Sequence, residues 1–138
     1  MSQGFRLDNQ CAVVTGACGR LGPIWAEALL GAGACVAALD IPGARPTAGF
    51  EALARAYPDR LVRTDCDITS RASIQAAADE VCARWGVPSV LVNNAGVDQP
   101  PDSGGNRSRI DDLPLDQFRR MVEVNLLGTF QVVQVFGA

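Results

Sequence analysis

The sequence predicts an α/β protein whose parallel sheet is covered by helices on both faces. Short apolar runs rich in β-branched residues alternate along the chain with segments of helical period, and a glycine-rich turn follows the first run. Of the 138 residues, 48% are apolar and 20% are charged, which is typical of an ordinary globular protein. We therefore expect one domain over residues 1–138.

Four runs have the length and composition of buried parallel strands. They cover residues 12–15, 35–39, 61–64 and 89–92. Between them, apolar residues recur three or four positions apart, which predicts helices. The predicted apolar stripes are Leu21, Trp25 and Leu29 in the first helix, Phe50, Leu53, Ala54 and Tyr57 in the second, and Ile74, Ala77, Ala78, Val81 and Trp85 in the third.

A last helix is predicted from Pro114 to the C-terminus, because proline suits a first helical turn, as Pro23 does in the first helix. Its stripe holds Phe118, Met121, Val122, Thr129, Val132, Val133 and Phe136. Before it, residues 97–112 are rich in proline, glycine, serine and aspartate, which predicts a mobile surface loop. The sequence does not distinguish between two interpretations of this loop, simple disorder and a substrate-facing lid.

Composition excludes several kinds of function. The net charge of −3 favours neither nucleic acid nor an anionic membrane as a partner, and no apolar run approaches the ~20 residues that cross a bilayer. With no secretory signal, we expect a cytoplasmic protein. The five cysteines are dispersed without a C-x-x-C pair, which predicts reduced thiols and no metal site. Histidine and lysine are absent, which excludes an imidazole base, a Schiff base and a P-loop lysine.

The first strand runs into Thr15-Gly16-Ala17-Cys18-Gly19-Arg20-Leu21-Gly22, so three glycines lie between a strand and a helix. Glycines there allow a tight turn and let the backbone approach a pyrophosphate, which the free N–H groups of the helix N-terminus can bind. A turn that serves packing alone is the alternative.

Asp40 ends the second strand, near the ~20-residue spacing at which an acidic residue binds the adenosine ribose of a dinucleotide. A carboxylate also repels a 2′-phosphate, which favours NAD over NADP, although Arg20 and Arg45 are cations that could offset this repulsion. A simple turn or capping role is the alternative for an aspartate at this place.

Further motifs follow in order: Asp65-Cys66-Asp67-Ile68 after the third strand, Asn93-Asn94-Ala95-Gly96 after the fourth, and Val124-Asn125-Leu126-Leu127-Gly128 in the last helix. With the glycine-rich turn and Asp40, these motifs resemble the short-chain dehydrogenase/reductase family over essentially the whole chain. The resemblance implies a doubly wound Rossmann domain with strand order 3-2-1-4. It also implies hydride transfer between NAD(P) and a small alcohol or carbonyl substrate.

Carried over by position, the resemblance assigns cofactor binding to Gly16, Cys18, Gly19, Arg20, Leu21, Gly22, Asp40, Ile41, Asp67, Ile68, Asn93, Ala95 and Gly96. In this assignment the glycines line the pyrophosphate, Asp40 the ribose, and Asp67 with Ile68 the adenine. Asn125 matches the asparagine of a catalytic tetrad with serine, tyrosine and lysine, where it helps to hold a water in the proton relay. Because it falls on the stripe of the last helix, a buried amide that bridges to the neighbouring strand is the alternative.

The spacing T-G-x-x-G-x-x-G departs from the family's usual T-G-x-x-x-G-x-G, because Arg20 stands where the middle glycine is common. The observed spacing is similar to the extended branch of the family, whereas N-N-A-G is similar to the ordinary branch. The sequence therefore leaves the branch open.

The family's tyrosine and lysine, spaced Y-x-x-x-K, are not in this sequence, whose only tyrosine is Tyr57. We therefore expect a truncated cofactor-binding half with no substantial activity of its own, and self-association through its last helix and the open edge of its fourth strand. Two alternatives are a non-catalytic dinucleotide-binding module, or remnant, and an S-adenosylmethionine-dependent methyltransferase.

Overall fold

The computed structural model describes residues 5–98 and 111–137. Strands and helices alternate in the order β1 (Cys11–Thr15), α1 (Gly22–Gly31), β2 (Cys35–Asp40), α2 (Ala48–Ala56), β3 (Leu61–Asp65), α3 (Arg71–Trp85) and β4 (Val90–Val92). The last helical stretch consists of α4 (Leu115–Val122), a π-helical turn (Glu123–Gly128) and α5 (Thr129–Phe136). The greater part of the predicted loop at 97–112, residues 99–110, lies outside the described residues.

The sheet is parallel and has the order β3-β2-β1-β4, which confirms the predicted Rossmann-type α/β fold. Alternate residues of each strand face opposite sides, so the sheet separates two apolar cores. Val13 packs on the side of α3 and α5, and Val14 on the side of α1 and α2. Within the described residues, β4 pairs only with β1.

The helices confirm some predicted stripes and correct others. In α3 the predicted residues Ile74, Ala77, Ala78 and Val81 are buried. In α1 the prediction is wrong, because Leu21 is 57% exposed and Trp25 45% exposed. The buried residues of α1 are Gly22, Ala26 and Leu30. The face begins with small residues because the start of α1 lies close against the turn that leads into it, where a Cβ on Gly22 would collide with Ala17.

The last helix is not the uninterrupted α-helix that the sequence predicts. Pro114 precedes its first turn, and the backbone changes to π-helical geometry between α4 and α5. The buried positions are Val124, Gly128, Val132 and Phe136. A π-turn adds about one residue to a helical turn, so it changes which residues face the core. Phe118 and Val133, both predicted on the stripe, are consequently exposed.

None of the helices in residues 5–98 and 111–137 combines the length and the apolar character that crossing a bilayer needs.

Candidate functional site

The glycine-rich turn connects β1 to α1 at the carboxyl end of the sheet. Gly16 has φ +63°, in the left-handed region, and a Cβ on it would lie 2.8 Å from the Cα of Ala95. Glycine is therefore required at this position. The Gly19 N–H donates to the Gly16 carbonyl at 3.2 Å, which closes the turn, and a Cβ on Gly22 would collide with the Ala17 carbonyl. The turn thus brings α1 close to the strand end.

Three main-chain N–H groups at the start of α1 are available to a ligand. Those of Arg20, Leu21 and Gly22 donate to no acceptor within residues 5–98 and 111–137. The first N–H groups of a helix have no partner within the helix, and its N-terminus carries partial positive charge. This end of α1 is therefore suited to an anion.

Asp40 lies across the turn from these amides, and the main chain fixes its orientation. Its Oδ2 accepts from the N–H of Cys18 at 2.8 Å, and its Oδ1 accepts from the N–H of Ile41 at 2.8 Å. Each carboxylate oxygen keeps capacity for a further hydrogen bond. Cys18 is buried, so its amide and not its thiol serves the site; burial, with the Asp40 charge, raises the pKa of that thiol.

The N-N-A-G segment after β4 is hydrogen-bonded to the glycine-rich turn. The buried Thr15 hydroxyl accepts from the N–H groups of Asn94 and Ala95, both at 3.0 Å. The Asn94 amide donates back to the carbonyls of Thr15 at 3.0 Å and Gly16 at 3.1 Å. Two motifs that are 79 residues apart therefore form one structural unit.

Asn93, the member of N-N-A-G that the sequence prediction selected, has a different role from Asn94. Its Nδ2 donates to the Thr129 carbonyl at 3.3 Å, which connects β4 to α5. Its buried Oδ1 has no partner among the described residues. Asn93 therefore supports the sheet from the side of the last helix, and Asn94 holds the turn.

Asn125 lies in the π-helical turn and is exposed, so the prediction of a buried amide is wrong. The π-turn moves it out of the apolar stripe. Both polar atoms of its amide nevertheless bind one residue: Oδ1 accepts from the Val97 N–H, and Nδ2 donates to the Val97 carbonyl, both at 2.8 Å. Asn125 thus connects the last helix to the chain that leaves β4, while its catalytic role stays a prediction.

Two adjoining cavities lie over the strand ends. The larger, a cleft of about 680 Å³, is lined by Gly16, Gly19, Arg20, Leu21, Asp40, Asn94, Ala95, Gly96 and Asp98. The second, of about 370 Å³, is lined by Gly16, Asp40, Ile41, Pro42, Cys66, Asp67, Ile68, Thr69, Ala95, Gly96, Val97, Arg120 and Val124. They share Gly16, Asp40, Ala95 and Gly96, so they form one continuous groove.

Most of the predicted cofactor-binding residues line this groove. Those that do not are Cys18, Gly22 and Asn93, which support its walls from within. Asp67 is partly engaged, because its Oδ1 accepts from the N–H and the hydroxyl of Thr69 at 2.9 and 2.7 Å. Ile68 lines the second cavity although it is largely buried.

The sequence prediction missed Asn94 and Arg120 as groove residues. Asn94 stands within the motif that the prediction used, but nothing in the motif shows which of its two asparagines turns toward Gly16. Arg120, in α4, lines the second cavity, and its position in the sequence carries no signal of that placement.

Fold and groove together define an α/β protein of the Rossmann type with a glycine-rich turn, suited to an anion, at the carboxyl ends of its strands. Residues 10–137 match the sequence model of the short chain dehydrogenases. The D-threitol dehydrogenase of Mycolicibacterium smegmatis is 38% identical over 136 residues, which cover 96% of this chain and 48% of that enzyme.

Two solved structures are also similar. A 3-ketoacyl-(acyl-carrier-protein) reductase from Brucella melitensis, complexed with NADH, is 28% identical with a TM-score of 0.75, over 92% of this chain and 48% of the other. A double mutant of a Serratia marcescens short-chain dehydrogenase/reductase is 27% identical with a TM-score of 0.77, and the match covers 95% of this chain and 51% of that protein. The chain belongs to the short-chain dehydrogenase/reductase family of NAD(P)-dependent oxidoreductases, and it spans about half the length of these relatives.

Proposed function

We propose that this chain is the cofactor-binding part of an oxidoreductase that transfers hydride between a nicotinamide dinucleotide and an alcohol or carbonyl substrate. The observation that carries this proposal is that the free N–H groups opening α1 and the fixed carboxylate of Asp40 meet at one groove. A bound nicotinamide would supply the hydride acceptor or donor. The protein's part is to bind and orient it.

Each part of a dinucleotide has a counterpart in the groove. The N–H groups of Arg20 and Leu21 suit a diphosphate, and the free lone pairs of Asp40 suit the hydroxyls of the adenosine ribose. The second cavity, with Asp67 beside it, has space for the adenine. These contacts fit a dinucleotide because one wall carries the positive end of a helix and the next carries an acceptor for sugar hydroxyls.

We infer a preference for NAD over NADP from Asp40. Both carboxylate oxygens are held by main-chain N–H groups, so the side chain cannot turn away from a 2′-phosphate without losing two hydrogen bonds of 2.8 Å. The fixed carboxylate of Asp40 therefore repels a 2′-phosphate and favours a cofactor without one. Arg20, which is exposed and lines the same cleft, and the exposed Arg45 are the cations that could reduce this repulsion.

The substrate class is proposed from the names of the relatives. One is named for an alcohol, D-threitol, and another for a ketone, a 3-ketoacyl group, so both names describe an alcohol and carbonyl pair. Asn125 is proposed to contribute to proton relay in an active site completed by a tyrosine and a lysine. Because the chain has no lysine and Tyr57 lies at the end of α2, we expect the chain alone to bind cofactor without turnover.

Calorimetric titration with NADH, NADPH and S-adenosylmethionine tests the proposal. We expect NADH to bind most tightly. Asp40→Asn should weaken the affinity for NADH by about 10- to 100-fold and should reduce the difference between the affinities for NADH and NADPH. Asp59→Asn removes the same charge from an exposed residue at the opposite end of the sheet and should change neither affinity. Binding of S-adenosylmethionine without NADH would refute the assignment.

A homo-oligomer is proposed from the last helix, whose exposed apolar residues include Leu126, Phe130 and Val133. Exposed apolar side chains this close together favour a protein contact. Light scattering should show a mass above that of one chain, and Phe130→Glu should lower it. A stable monomer at high concentration would contradict the proposal. The non-catalytic dinucleotide-binding module stays the alternative function. Sequencing the gene beyond residue 138 separates the two, because a Y-x-x-x-K motif found there would exclude the alternative.

A further inference from the structure

Three cysteines lie near one another at the end of the sheet opposite the glycine-rich turn. Cys11 and Cys35 are the first residues of β1 and β2, and they are directly paired in the parallel register. Cys82 lies near the end of α3, which runs back across the sheet from the carboxyl ends of the strands. All three are free thiols.

Cys11 and Cys35 point to the same face of the sheet. Cys11 packs in the core on the side of α3, and Ala37, two residues beyond Cys35 in β2, belongs to the same core. Residues two apart in a strand share a face, so Cys35 faces α3 as well. Neighbouring strands lie ~4.8 Å apart, which falls within the range of Cα separations that a disulfide spans.

The two thiols differ in accessibility. Cys11 is buried, and burial raises the pKa of its thiol to about 11, with the neighbouring Cys35 and Cys82 acting in the same direction. Cys35 is only half-buried at the start of its strand. An oxidant from solvent therefore reaches Cys35 before Cys11, and Cys11 lies beside it as a protected second thiol.

We propose that Cys11 and Cys35 form an intramolecular disulfide when a peroxide oxidises the folded chain. The Cys35 thiolate attacks hydrogen peroxide, the O–O bond breaks, and a sulfenic acid and one water are formed. The Cys11 sulfur then gives up its proton and attacks the Cys35 sulfur, so that the S–S bond forms, the S–O bond breaks and a second water leaves. Together the two thiols give up two protons and two electrons, which reduce one peroxide to two waters.

The position of the pair decides what the bond changes. It would tie β1 to β2 at their first residues and leave the groove at the other end of the strands unaltered. Paired side chains in neighbouring strands have Cβ atoms slightly farther apart than a relaxed disulfide requires, so the strands must draw together. We therefore expect a bond that a dithiol reduces readily.

The test is peroxide treatment of the intact chain, blocking of the remaining thiols, and peptide mapping after trypsin. A mass loss of about 2 Da is expected, with a link between fragments 7–20 and 21–55. Fragment 7–20 also contains Cys18, so the mapping is repeated with Cys18→Ser, which should keep the link. Cys82→Ser should keep it as well, whereas Cys35→Ser should abolish it.

Two further readouts support the assignment or overturn it. The oxidised chain should unfold at a higher Tm than the reduced chain, dithiothreitol should reverse this, and NADH affinity should not change. A link from fragment 21–55 to the Cys82 fragment 72–84 would overturn the proposal. So would oxygen addition to Cys35 without a link, or cross-linking only between chains.

Discussion

Replacing Gly16 with alanine should destabilise the fold through two separable costs. An alanine at φ +63° pays about 1–2 kcal/mol for left-handed backbone. Its Cβ would also lie 2.8 Å from the Cα of Ala95, a main-chain atom that cannot rotate away, and such overpacking typically costs about 1–3 kcal/mol. We therefore expect Gly16→Ala to lower the free energy of unfolding by about 2–5 kcal/mol.

Gly43 provides the matched control. It has φ +78°, and a Cβ on it would meet nothing within 4 Å, so Gly43→Ala carries only the backbone cost of about 1–2 kcal/mol. Urea unfolding of both variants and the parent chain, with all cysteines reduced, measures the difference. Equal losses in the two variants would refute the close contact between the glycine-rich turn and the N-N-A-G segment.

Three further predictions concern other contacts. Asn125→Ala should lower the free energy of unfolding by about 1–2 kcal/mol, because both hydrogen bonds to Val97 are lost at an exposed site, and unchanged urea midpoints would contradict this. Thr15→Val should lower the free energy of unfolding by about 2–4 kcal/mol, because the N–H groups of Asn94 and Ala95 lose their acceptor. Thr15→Ser keeps the hydroxyl and should retain most of the stability in the same urea measurement. Burial raises the pKa values of Cys11 and Cys66 to about 11, above the ordinary value of 9.0. The folded chain therefore keeps protons that the unfolded chain releases, and stability should fall as the pH rises from about 9 to 11. Cys66→Ala should make this loss of stability smaller, as measured by urea unfolding at several pH values between about 9 and 11. The same pH dependence in the variant and the parent chain would contradict the prediction.

The strands could be predicted because each is a short apolar run between turn signals. Their observed bounds differ from the predicted ones by a residue or so: Cys11 joins β1, Asp40 joins β2, and β4 begins at Val90 instead of Ser89. The sequence of motifs along the chain also indicated the order of the strands, because the family that the motifs resemble has that order.

The buried face of α1 could not be predicted from apolar periodicity. Leu21 and Trp25 dominate the pattern because they are large. The buried face instead begins at Gly22, where any side chain would collide with Ala17, and continues through Ala26 and Leu30. Which residues of α1 are buried depends on how closely the helix approaches the turn, and the pattern of residue types in the sequence does not give that distance.

The site was predicted in its residues more fully than in its contacts. Gly16 and Asp40 line the groove as expected, but the hydrogen bonds that hold them depend on pairs of residues far apart in the chain. The exposure of Asn125 follows from the π-turn, which adds about one residue to a helical turn and leaves no mark in the periodicity of the flanking residues.

The bonds from Thr15 to Asn94 and Ala95 have a consequence for how the groove comes into being. Their partners stand 79 and 80 positions along the chain, so the floor of the groove is absent until β4 has joined β1. A chain that folds from its N-terminus completes three strands and three helices before it can hold a ligand. Any ligand of the groove consequently stabilises the docking of β4 by mass action, and loss of that docking releases the ligand.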